Sequence, residues 1–378
     1  MGRPSINISD IGNMPSTAPL GSSRRLLVVG PSMREMARQH GRFIKSCVQR
    51  GVSVMVLSPE TSASGSEGLL RLGAQAQSIS KGPDGFSLFR ARKAARAFAD
   101  QIRSFHPSAV LTFGPSVIPA AVSAARRAGV ARVGVLLDEL PEGGLSKRLT
   151  RAAKSSSVVI VHNAKDARTV VEAVGEGTHV VRVPGTGSDL TLSLGEAMPV
   201  GQDPVIFLAA ARLDRSRGIY DYLEAARVAR ENGLAARFML AGPDGVEEGA
   251  IKPETLSRYG AHVDYIGDAA ELGECIRQCH VFVSPSHREG MPAAVLSALA
   301  SGRAIVATDI PGSHDTVDEM VNGTLCAPQD PSSLADAFSR MVRNRRLLQT
   351  MGRASRSKAE RTFSDAAVHE ALQGALQI

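Results

Sequence analysis

A cluster of charged residues in the second half of the chain has the residue types and spacing for binding an anion. The segment 211–218 reads ARLDRSRG and places Arg212, Arg215 and Arg217 just before a predicted helix at 219–231. The free N–H groups of a helix N-terminus attract a phosphate, and guanidinium groups bind it through paired hydrogen bonds. The pattern therefore favours a diphosphate site; the alternative is an exposed loop with incidental charge.

A carboxylate follows in a second loop of the same half. The segment 286–292 reads SHREGMP and precedes another predicted helix. Glu289 can face a ligand there or cap the helix, and Gly290 lets the backbone approach a ligand closely. A third Gly/Pro loop, 309–315, reads DIPGSHD. Cations, a carboxylate and backbone donors together suit a nucleotide diphosphate joined to a hydroxylated group.

Short apolar runs that alternate with helical stretches predict the strands that position these loops. The predicted strands are 25–29, 53–57, 109–113, 132–137, 157–161 and 179–183, then 204–209, 236–241, 262–266, 281–285 and 304–308. Continuous apolar runs are typical of parallel strands buried on both faces. The chain is therefore predicted to be an α/β protein with two Rossmann-like, doubly wound parallel-sheet domains. Ligands of such sheets bind at the carboxyl ends of the strands, and a central cleft faced by both domains is the expected site.

The predicted domain boundaries follow the changes in composition. A flexible leader rich in Ser, Pro and Gly covers 1–23, and a linker covers 188–203. These segments delimit an N-terminal domain at 24–187, a C-terminal domain at 204–355 and a C-terminal segment at 356–378. That last segment contains a predicted helix that could cross back to the N-terminal domain.

Composition and charge restrict the class of protein. The chain has 378 residues, a net charge of +7 and no Trp, and its length predicts two domains. Residues 1–195 carry 25 Lys and Arg against 13 Asp and Glu, whereas the remainder carries 19 against 24. No apolar run reaches the roughly 18 residues of a membrane span. The four scattered Cys do not form a disulfide framework, so a cytoplasmic protein is expected.

Two basic helical segments in the first half could contact a partner. In 86–105, apolar residues including Phe98 and Ile102 share one helical face and basic residues lie opposite. The second segment also has helical spacing and contains Lys147, Arg148, Arg151 and Lys154. Either these are exposed outer helices, or they contact an anionic membrane surface, which would make the protein peripheral on the inner face of the cell membrane. Nucleic acid is not an expected partner, because few aromatic residues accompany the charges.

A metal site is not expected. Cys275, Cys279 and His280 have helical spacing but lack a second pair of ligands at the usual distance. No DxD-type carboxylate pair stands in a predicted strand-end loop. Arginines that bind the diphosphate would make a metal unnecessary, so neither a metal nor another cofactor is predicted.

The second half of the chain resembles a known enzyme family. The strings RLDRSRG, SPSHREGMPAAVLSALASGRAIVATDIPG and VNGTLCAPQDPSSLADAF are similar to the C-terminal half of the retaining family 4 glycosyltransferases (glycosyl transferases group 1), which have the GT-B fold. In the first half, LLVVGPS, VVIVHNAKDARTVVEAVG and VVRVPGTGSDL agree more loosely. The subset that the chain resembles adds sugars to lipid-linked or polysaccharide precursors in bacteria.

The resemblance implies roles for particular residues. Arg212 matches an Arg at the donor diphosphate, and Arg217 stands where most members have Lys, so its charge persists with a different geometry. Glu289 matches the first Glu of an E-x7-E motif, which lies against the donor sugar. The second Glu of that motif is replaced by Ser297, and losing a charge-assisted hydrogen bond to the ribose there would cost about 1.5–3 kcal/mol.

The resemblance also predicts further contacts with the two substrates. Besides the arginines and Glu289, the predicted donor-binding residues are Gly242, Pro243, Ile266, Gly267, His287, Gly290, Met291, Pro292 and Ser297. The predicted acceptor or cleft residues are Gly30, Pro31, Ser32, His40 and Gly187. For several of these an alternative stands: Gly242, Pro243, Ile266 and Gly267 could be ordinary turn residues, and His40 could be an exposed helix residue.

The expected function is a metal-independent, hexosyltransferase-type retaining glycosyltransferase of bacterial surface polysaccharide synthesis. Its donor would be a nucleotide sugar, taken as a UDP-sugar, and its acceptor a saccharide or a lipid-linked saccharide. Arg212, Arg217 and Glu289 are the predicted catalytic residues. Two alternatives remain open: a catalytically degenerate GT-B partner protein, favoured by Ser297, and a nucleotide-sugar epimerase, against which the clustered motifs argue.

Overall fold

A computed structural model describes residues 8–10, 24–60, 62–79, 88–140, 143–175, 177–191, 198–199, 204–245, 249–268 and 272–378. The chain divides into two compact units. The N-terminal unit comprises Met1–Thr186 and Asp365–Ile378, and the C-terminal unit comprises Gly187–Ser364. The predicted leader and linker lie largely outside the described residues.

The N-terminal unit contains an eight-stranded parallel sheet. Its strands are β1 (Ile8–Asp10), β2 (Arg25–Val29), β3 (Ser53–Ser58), β4 (Gln75–Ser78), β5 (Ala109–Phe113), β6 (Arg132–Leu137), β7 (Val158–Val161) and β8 (Val180–Arg182). The strands are arranged in the order β1-β8-β7-β6-β5-β2-β3-β4. Every neighbouring pair is parallel. The central strands are buried on both faces, as their continuous apolar runs predicted.

Helices cover both faces of this sheet. They are α1 (Met33–Gln49), α2 (Ala63–Arg71), α3 (Leu88–Phe105), α4 (Ile118–Arg127), α5 (Lys147–Lys154) and α6 (Ala164–Val174). Buried side chains of α3 to α6 form one apolar cluster with the sheet. Those of α1, α2 and the C-terminal helix Asp365–Leu376 form a second cluster on the other face. The unit is therefore doubly wound.

The C-terminal unit contains a six-stranded parallel sheet. Its strands are β9 (Val205–Ala210), β10 (Ala236–Ala241), β11 (Val263–Tyr265), β12 (Val281–Ser284), β13 (Ala304–Thr308) and β14 (Gly323–Cys326). They are arranged in the order β11-β10-β9-β12-β13-β14. Counted within the unit, this is the 3-2-1-4-5-6 order of dinucleotide-binding sheets.

The helices of the C-terminal unit also lie on both faces. They are α7 (Ile219–Glu231), α8 (Pro253–Tyr259), α9 (Leu272–Gln278), α10 (Ala293–Ala300), α11 (Pro311–Thr316), α12 (Pro331–Arg343) and α13 (Leu348–Lys358), so the C-terminal helix of the chain is α14. Side chains of α7 and α12 share one core with the sheet, and those of α9 and α10 share another. No helix in the described part of the chain is both long and apolar enough to cross a bilayer.

The predicted α/β class with two parallel sheets is confirmed, and three strands were missed. The segment that forms β4 reads QAQS and has no apolar run, because it lies at a sheet edge with one neighbour. At the edge of the other sheet, β14 is only four residues long. The strand β1 lies inside the predicted leader and pairs with β8. Edge strands bury less side-chain surface, so their sequences carry a weaker signal.

Candidate functional site

The loops after β9 and β12 leave the C-terminal sheet at the point where its strand order reverses. Hydrogen bonds join β9 to β10 on one side and to β12 on the other. The polypeptide therefore departs in opposite directions from these two adjacent strands, which leaves a crevice at their carboxyl ends. The first loop carries Arg212 and Arg217, and the second carries Glu289.

Arg217 and Glu289 form an ion pair between the two loops. Arg217 Nη1 lies 3.1 Å from Glu289 Oε1, and the side chains are 27% and 23% exposed. The hydroxyl of Ser286 donates a hydrogen bond to Glu289 Oε2 at 3.0 Å. Pro292 occupies the N-cap position of α10, so Glu289 is not the capping residue. Two of the three predicted catalytic residues thus meet at the switch point, and both remain accessible to a ligand.

Further contacts hold the two loops in register. The backbone N–H of His287 donates to the carbonyl of Ser216 at 3.1 Å. The ring Nε2 of His287 lies 2.7 Å from Asp221 Oδ2, in the first turn of α7. Gly218 has φ 67°, and a Cβ there would lie 1.8 Å from the carbonyl oxygen of Pro285. The close approach of the two backbones therefore requires glycine. Asp221 was not predicted from the sequence.

The other two arginines of the first loop have different partners. Arg212 pairs with the buried carboxylate of Asp214 and keeps 38% of its side chain exposed. The guanidinium of Arg215 lies over the ring of Tyr220, 5.1 Å from the centroid, as a cation–π contact. Arg212 is therefore oriented by a carboxylate at the same edge as Arg217, whereas Arg215 packs against α7.

Four of the predicted donor-binding residues, Gly242, Pro243, Ile266 and Gly267, lie at the same sheet edge. The N–H of Gly242 donates to the carbonyl of Gly267 at 2.9 Å, which joins the ends of β10 and β11. The carbonyl of Pro243 accepts from the N–H of Leu213 at 3.0 Å, next to Arg212. Ile266 is 40% exposed, which is unusual for an apolar side chain of this size in this chain. An exposed apolar residue here could pack against a planar ligand.

The residues that follow Glu289 lead into α10. Gly290 is buried, and a Cβ on Gly312 of the third loop would lie 2.5 Å from its carbonyl oxygen. Met291 packs against the apolar cluster of α9 and α10. The hydroxyl of Ser297 donates to the carbonyl of Ala293 at 3.2 Å, one turn back in α10. The side chain at the variant position of the E-x7-E motif therefore bonds to its own helix.

The predicted acceptor residues of the N-terminal unit lie after β2, at the switch point of that sheet. The N–H of Gly30 donates to the carbonyl of Leu57 at 3.1 Å, and the carbonyl of Pro31 accepts from the hydroxyl of Ser58 at 2.9 Å. Ser32 is the N-cap of α1. These contacts fix the turn, and whether it also binds an acceptor stays a prediction.

His40 is buried, so its interpretation as an exposed helix residue is wrong. It is 2% exposed, and its ring lies 4.3 Å from that of Phe113. Its Nε2 lies 3.7 Å from Asp138 Oδ1. Burial lowers the pKa of His40. The negative charge of Asp138 raises that pKa, but the effect of burial is larger. His40 therefore stays neutral near physiological pH.

Asp138 and His162 form a cluster with His40 that the sequence analysis missed. Asp138 follows β6 and His162 follows β7, so both stand at the carboxyl edge of the N-terminal sheet. His162 Nε2 lies 3.1 Å from Asp138 Oδ1, and Nδ1 donates to the carbonyl of Val183 at 2.9 Å. Because both ring nitrogens face acceptors, the imidazolium form of His162 fits this environment.

The electrostatics of this cluster follow from its geometry. Burial lowers the pKa of His162, but the hydrogen bond and charge of Asp138 outweigh it and raise that pKa above its ordinary value. Burial also opposes ionisation of Asp138, yet the electrostatic interaction with the His40 imidazole and the hydrogen bond of His162 keep the pKa of Asp138 below its usual value. The sequence signal was a polar residue directly after each of two buried strands.

Gly187 is the first residue of the C-terminal unit and has φ 88°. Next to it, the N–H of Ser188 donates to the carbonyl of Phe363 at 2.7 Å. Within the described residues, no group of three or more His, Cys, Asp or Glu side chains could hold a metal ion. Metal independence itself stays a prediction.

The C-terminal unit matches a family of known proteins. Residues 203–344 match the sequence model of the family described as glycosyl transferases group 1, which confirms the resemblance over this part of the chain. That segment contains Arg212, Arg217 and Glu289 together with all six strands of the sheet, β9 to β14. The assignment to family 4 and the retaining stereochemistry are finer and stay predictions.

A curated relative matches part of the chain. The chain is 26% identical over 148 residues to the N,N'-diacetylbacillosaminyl-diphospho-undecaprenol alpha-1,3-N-acetylgalactosaminyltransferase of Campylobacter jejuni. The match covers 39% of this chain and 38% of that protein. The chain thus spans well under two thirds of the relative's length.

Two solved structures share the fold along most of the chain. A glycosyltransferase from Rickettsia africae superposes with a TM-score of 0.78 at 14% identity, covering 93% of this chain and 97% of the other. Anabaena Alr3699/HepE, solved in complex with UDP, superposes with a TM-score of 0.74 at 15% identity, covering 92% and 98%. The expected GT-B fold of two parallel-sheet α/β domains is confirmed.

Proposed function

We propose that the protein is a glycosyltransferase that moves a sugar from a nucleotide sugar, specifically a UDP-sugar, to a saccharide or lipid-linked saccharide. The observation that carries the proposal is the Arg217–Glu289 ion pair at the switch point of the C-terminal sheet. It unites a cation suited to a diphosphate with a carboxylate suited to a sugar, inside the segment that matches the glycosyl transferases.

The reaction breaks the bond between the anomeric carbon of the donor sugar and the oxygen of the diphosphate. Negative charge then grows on the leaving diphosphate, where the guanidinium groups of Arg212 and Arg217 stabilise it. Positive charge grows at the anomeric carbon, where the carboxylate of Glu289 stabilises it. The acceptor hydroxyl oxygen bonds to the anomeric carbon, and its proton passes to an oxygen of the departing diphosphate. Because two cations balance the diphosphate, we propose that no metal takes part and that the anomeric configuration is retained, as the family resemblance implies.

Two comparisons support the choice of substrates. The structure of Alr3699/HepE contains UDP, and the name of the Campylobacter jejuni relative specifies a lipid-linked acceptor joined through a diphosphate. A lipid-linked acceptor would place the protein in the cytoplasm, at the inner face of the cell membrane, in the synthesis of a surface polysaccharide.

A second candidate function rests on Ser297. A GT-B protein that binds its donor weakly could act as a partner of an active transferase instead. The observation that favours it is the hydrogen bond from the Ser297 hydroxyl to the Ala293 carbonyl, which engages the side chain with its own helix. A carboxylate at that position would instead be available to accept hydrogen bonds from a ribose.

The test is an incubation of the purified protein with a panel of UDP-sugars, with and without saccharide acceptors. We expect slow hydrolysis of one donor and faster transfer when an acceptor is present. Interconversion of donors without an acceptor would indicate an epimerase, and binding of no donor would indicate the partner protein.

A pair of variants connects that activity to the site. Glu289→Gln keeps the size of the side chain but removes its charge, and we expect a loss of roughly 100-fold or more in turnover. Glu274→Gln is the matched control, since this exposed carboxylate pairs with Arg277 on α9. Equal turnover by the two variants would contradict the proposed role of Glu289.

A further inference from the structure

A groove between α4 and α5 runs along the helical surface of the N-terminal unit. It has a volume of about 390 Å³. Pro119, Val122 and Ala152 form its apolar floor. The cationic lining consists of Arg126 and Arg127 from α4 and Arg148 and Arg151 from α5. All four arginines are exposed.

The two helices that form the groove contain no acidic residue to balance its positive charge. Neither α4 nor α5 contains an Asp or Glu, and none occurs anywhere in residues 101–137. Among the described residues, no carboxylate pairs with any of the four arginines. Like charges held in one groove repel each other, so an external anion would stabilise the arrangement.

Helix stability explains only part of this charge placement. Arg126, Arg127 and Arg151 lie in the last turns of their helices, where the helix dipole favours a cation. Arg148 lies in the first turn of α5, where the dipole opposes a cation. Lys147 and Lys154 extend the same basic surface, because spacings of four and three residues place them on one face with Arg151.

The lining indicates which anion fits. Most of these residues lie inside helices, where backbone N–H groups already bond to the preceding turn. A single small phosphate would therefore be held by mobile side chains alone, without the backbone donors of a built phosphate site. A bilayer presents many phosphate groups at once, and separate exposed arginines can each bind one of them.

We propose that the groove and the adjoining face of α5 dock the protein on anionic phospholipid headgroups, with the phosphodiester as the group that the arginines bind. This surface lies on the helices rather than at the strand ends, so it is separate from the proposed donor site and does not require transferase activity. It would keep the protein next to a lipid-linked substrate.

The test measures binding of the full chain to phosphatidylcholine vesicles with and without phosphatidylglycerol, by co-sedimentation. We expect binding only when phosphatidylglycerol is present, and weaker binding at high salt. The variant Arg148→Ala/Arg151→Ala should bind roughly 30-fold more weakly, because each basic residue near the surface contributes about fivefold. The control Lys165→Ala/Arg168→Ala removes the same charge from exposed positions on α6 and should change binding less than about threefold.

Other outcomes would overturn the proposal. Equal losses of vesicle binding in the two variants would show that net charge attracts the protein to the vesicles and that no particular surface docks. Binding of inorganic phosphate that depends on Arg148 and Arg151, without vesicle binding, would assign the groove to a free anion. Circular dichroism shows whether each variant is folded, and donor hydrolysis shows whether the proposed function holds independently of the vesicle result.

Discussion

The two units place charged groups at the same kind of sheet edge but in different environments. In the C-terminal unit, Arg217 and Glu289 lie on loops and keep about a quarter of their side-chain surface exposed. In the N-terminal unit, the imidazoles of His40 and His162 are only 3% and 4% exposed. The partly exposed pair is accessible to a ligand, whereas both ring nitrogens of the buried His162 already have partners inside the unit. The same kind of sheet edge therefore carries the proposed donor site in one unit and a buried polar cluster in the other.

The buried group also responds to pH. The hydrogen bond and charge of Asp138 raise the pKa of His162 in the folded protein. The charge of this cluster therefore changes as the pH passes through that pKa.

Substitution of Asp138 should lower the stability of the N-terminal unit. Asp138→Asn removes the charge that pairs with His162, which should cost the N-terminal unit about 1–2 kcal/mol after allowance for solvent screening. Since the folded pKa of His162 lies above its unfolded value, the contribution of the pair is complete below about pH 6.5 and is lost as the pH rises through the folded pKa. Hydrogen exchange of peptides from 132–163 measures this effect. The loss of protection in Asp138→Asn relative to the original protein should be greater below about pH 6.5 than above the folded pKa of His162.

The control for this prediction is Asp100→Asn. Asp100 is an exposed carboxylate of α3 that pairs with Arg103, so its loss should leave exchange almost unchanged. Equal protection in Asp138→Asn and the original protein, both below about pH 6.5 and above the folded pKa of His162, would contradict the proposed cluster.

Sequence reasoning located the exposed group and missed most of the buried one, for a physical reason. Arg212, Arg217 and Glu289 stand in Gly-containing loops after clear apolar strands, and such loops carry a local signal. Asp138 and His162 are single polar residues 24 positions apart, and only strand pairing brings them together. Their contact is a property of the sheet order, which periodicity alone does not give.

The contact between Asp221 and His287 was missed for the same reason. These side chains are 66 residues apart in sequence. They meet because β9 and β12 are neighbours. His40 was misassigned because its position on an amphipathic helix did not reveal the aromatic ring of Phe113 beside it.

A second, smaller effect is expected at the variant motif position. Ser297→Glu should tighten UDP binding by roughly tenfold if the ribose lacks another partner, since a charged acceptor adds about 1.5 kcal/mol. Ser297→Gln is the matched control, because it supplies the length without the charge and should give a smaller gain. Isothermal titration calorimetry measures both affinities. Weaker binding by the Glu variant would show that the donor site is shaped around serine.

The most direct test of the donor site is the affinity of Arg217→Ala for UDP. The substitution removes the proposed phosphate ligand and leaves the carboxylate of Glu289 without this partner, so we expect affinity to fall roughly ten- to hundredfold. Arg237→Ala is the control, because Arg237 is 53% exposed and pairs with Asp264 near the amino end of β10. Calorimetric titration should show weakened binding for Arg217→Ala and unchanged binding for Arg237→Ala. An Arg217→Ala protein that binds UDP as tightly as the original would contradict a nucleotide diphosphate site at this switch point.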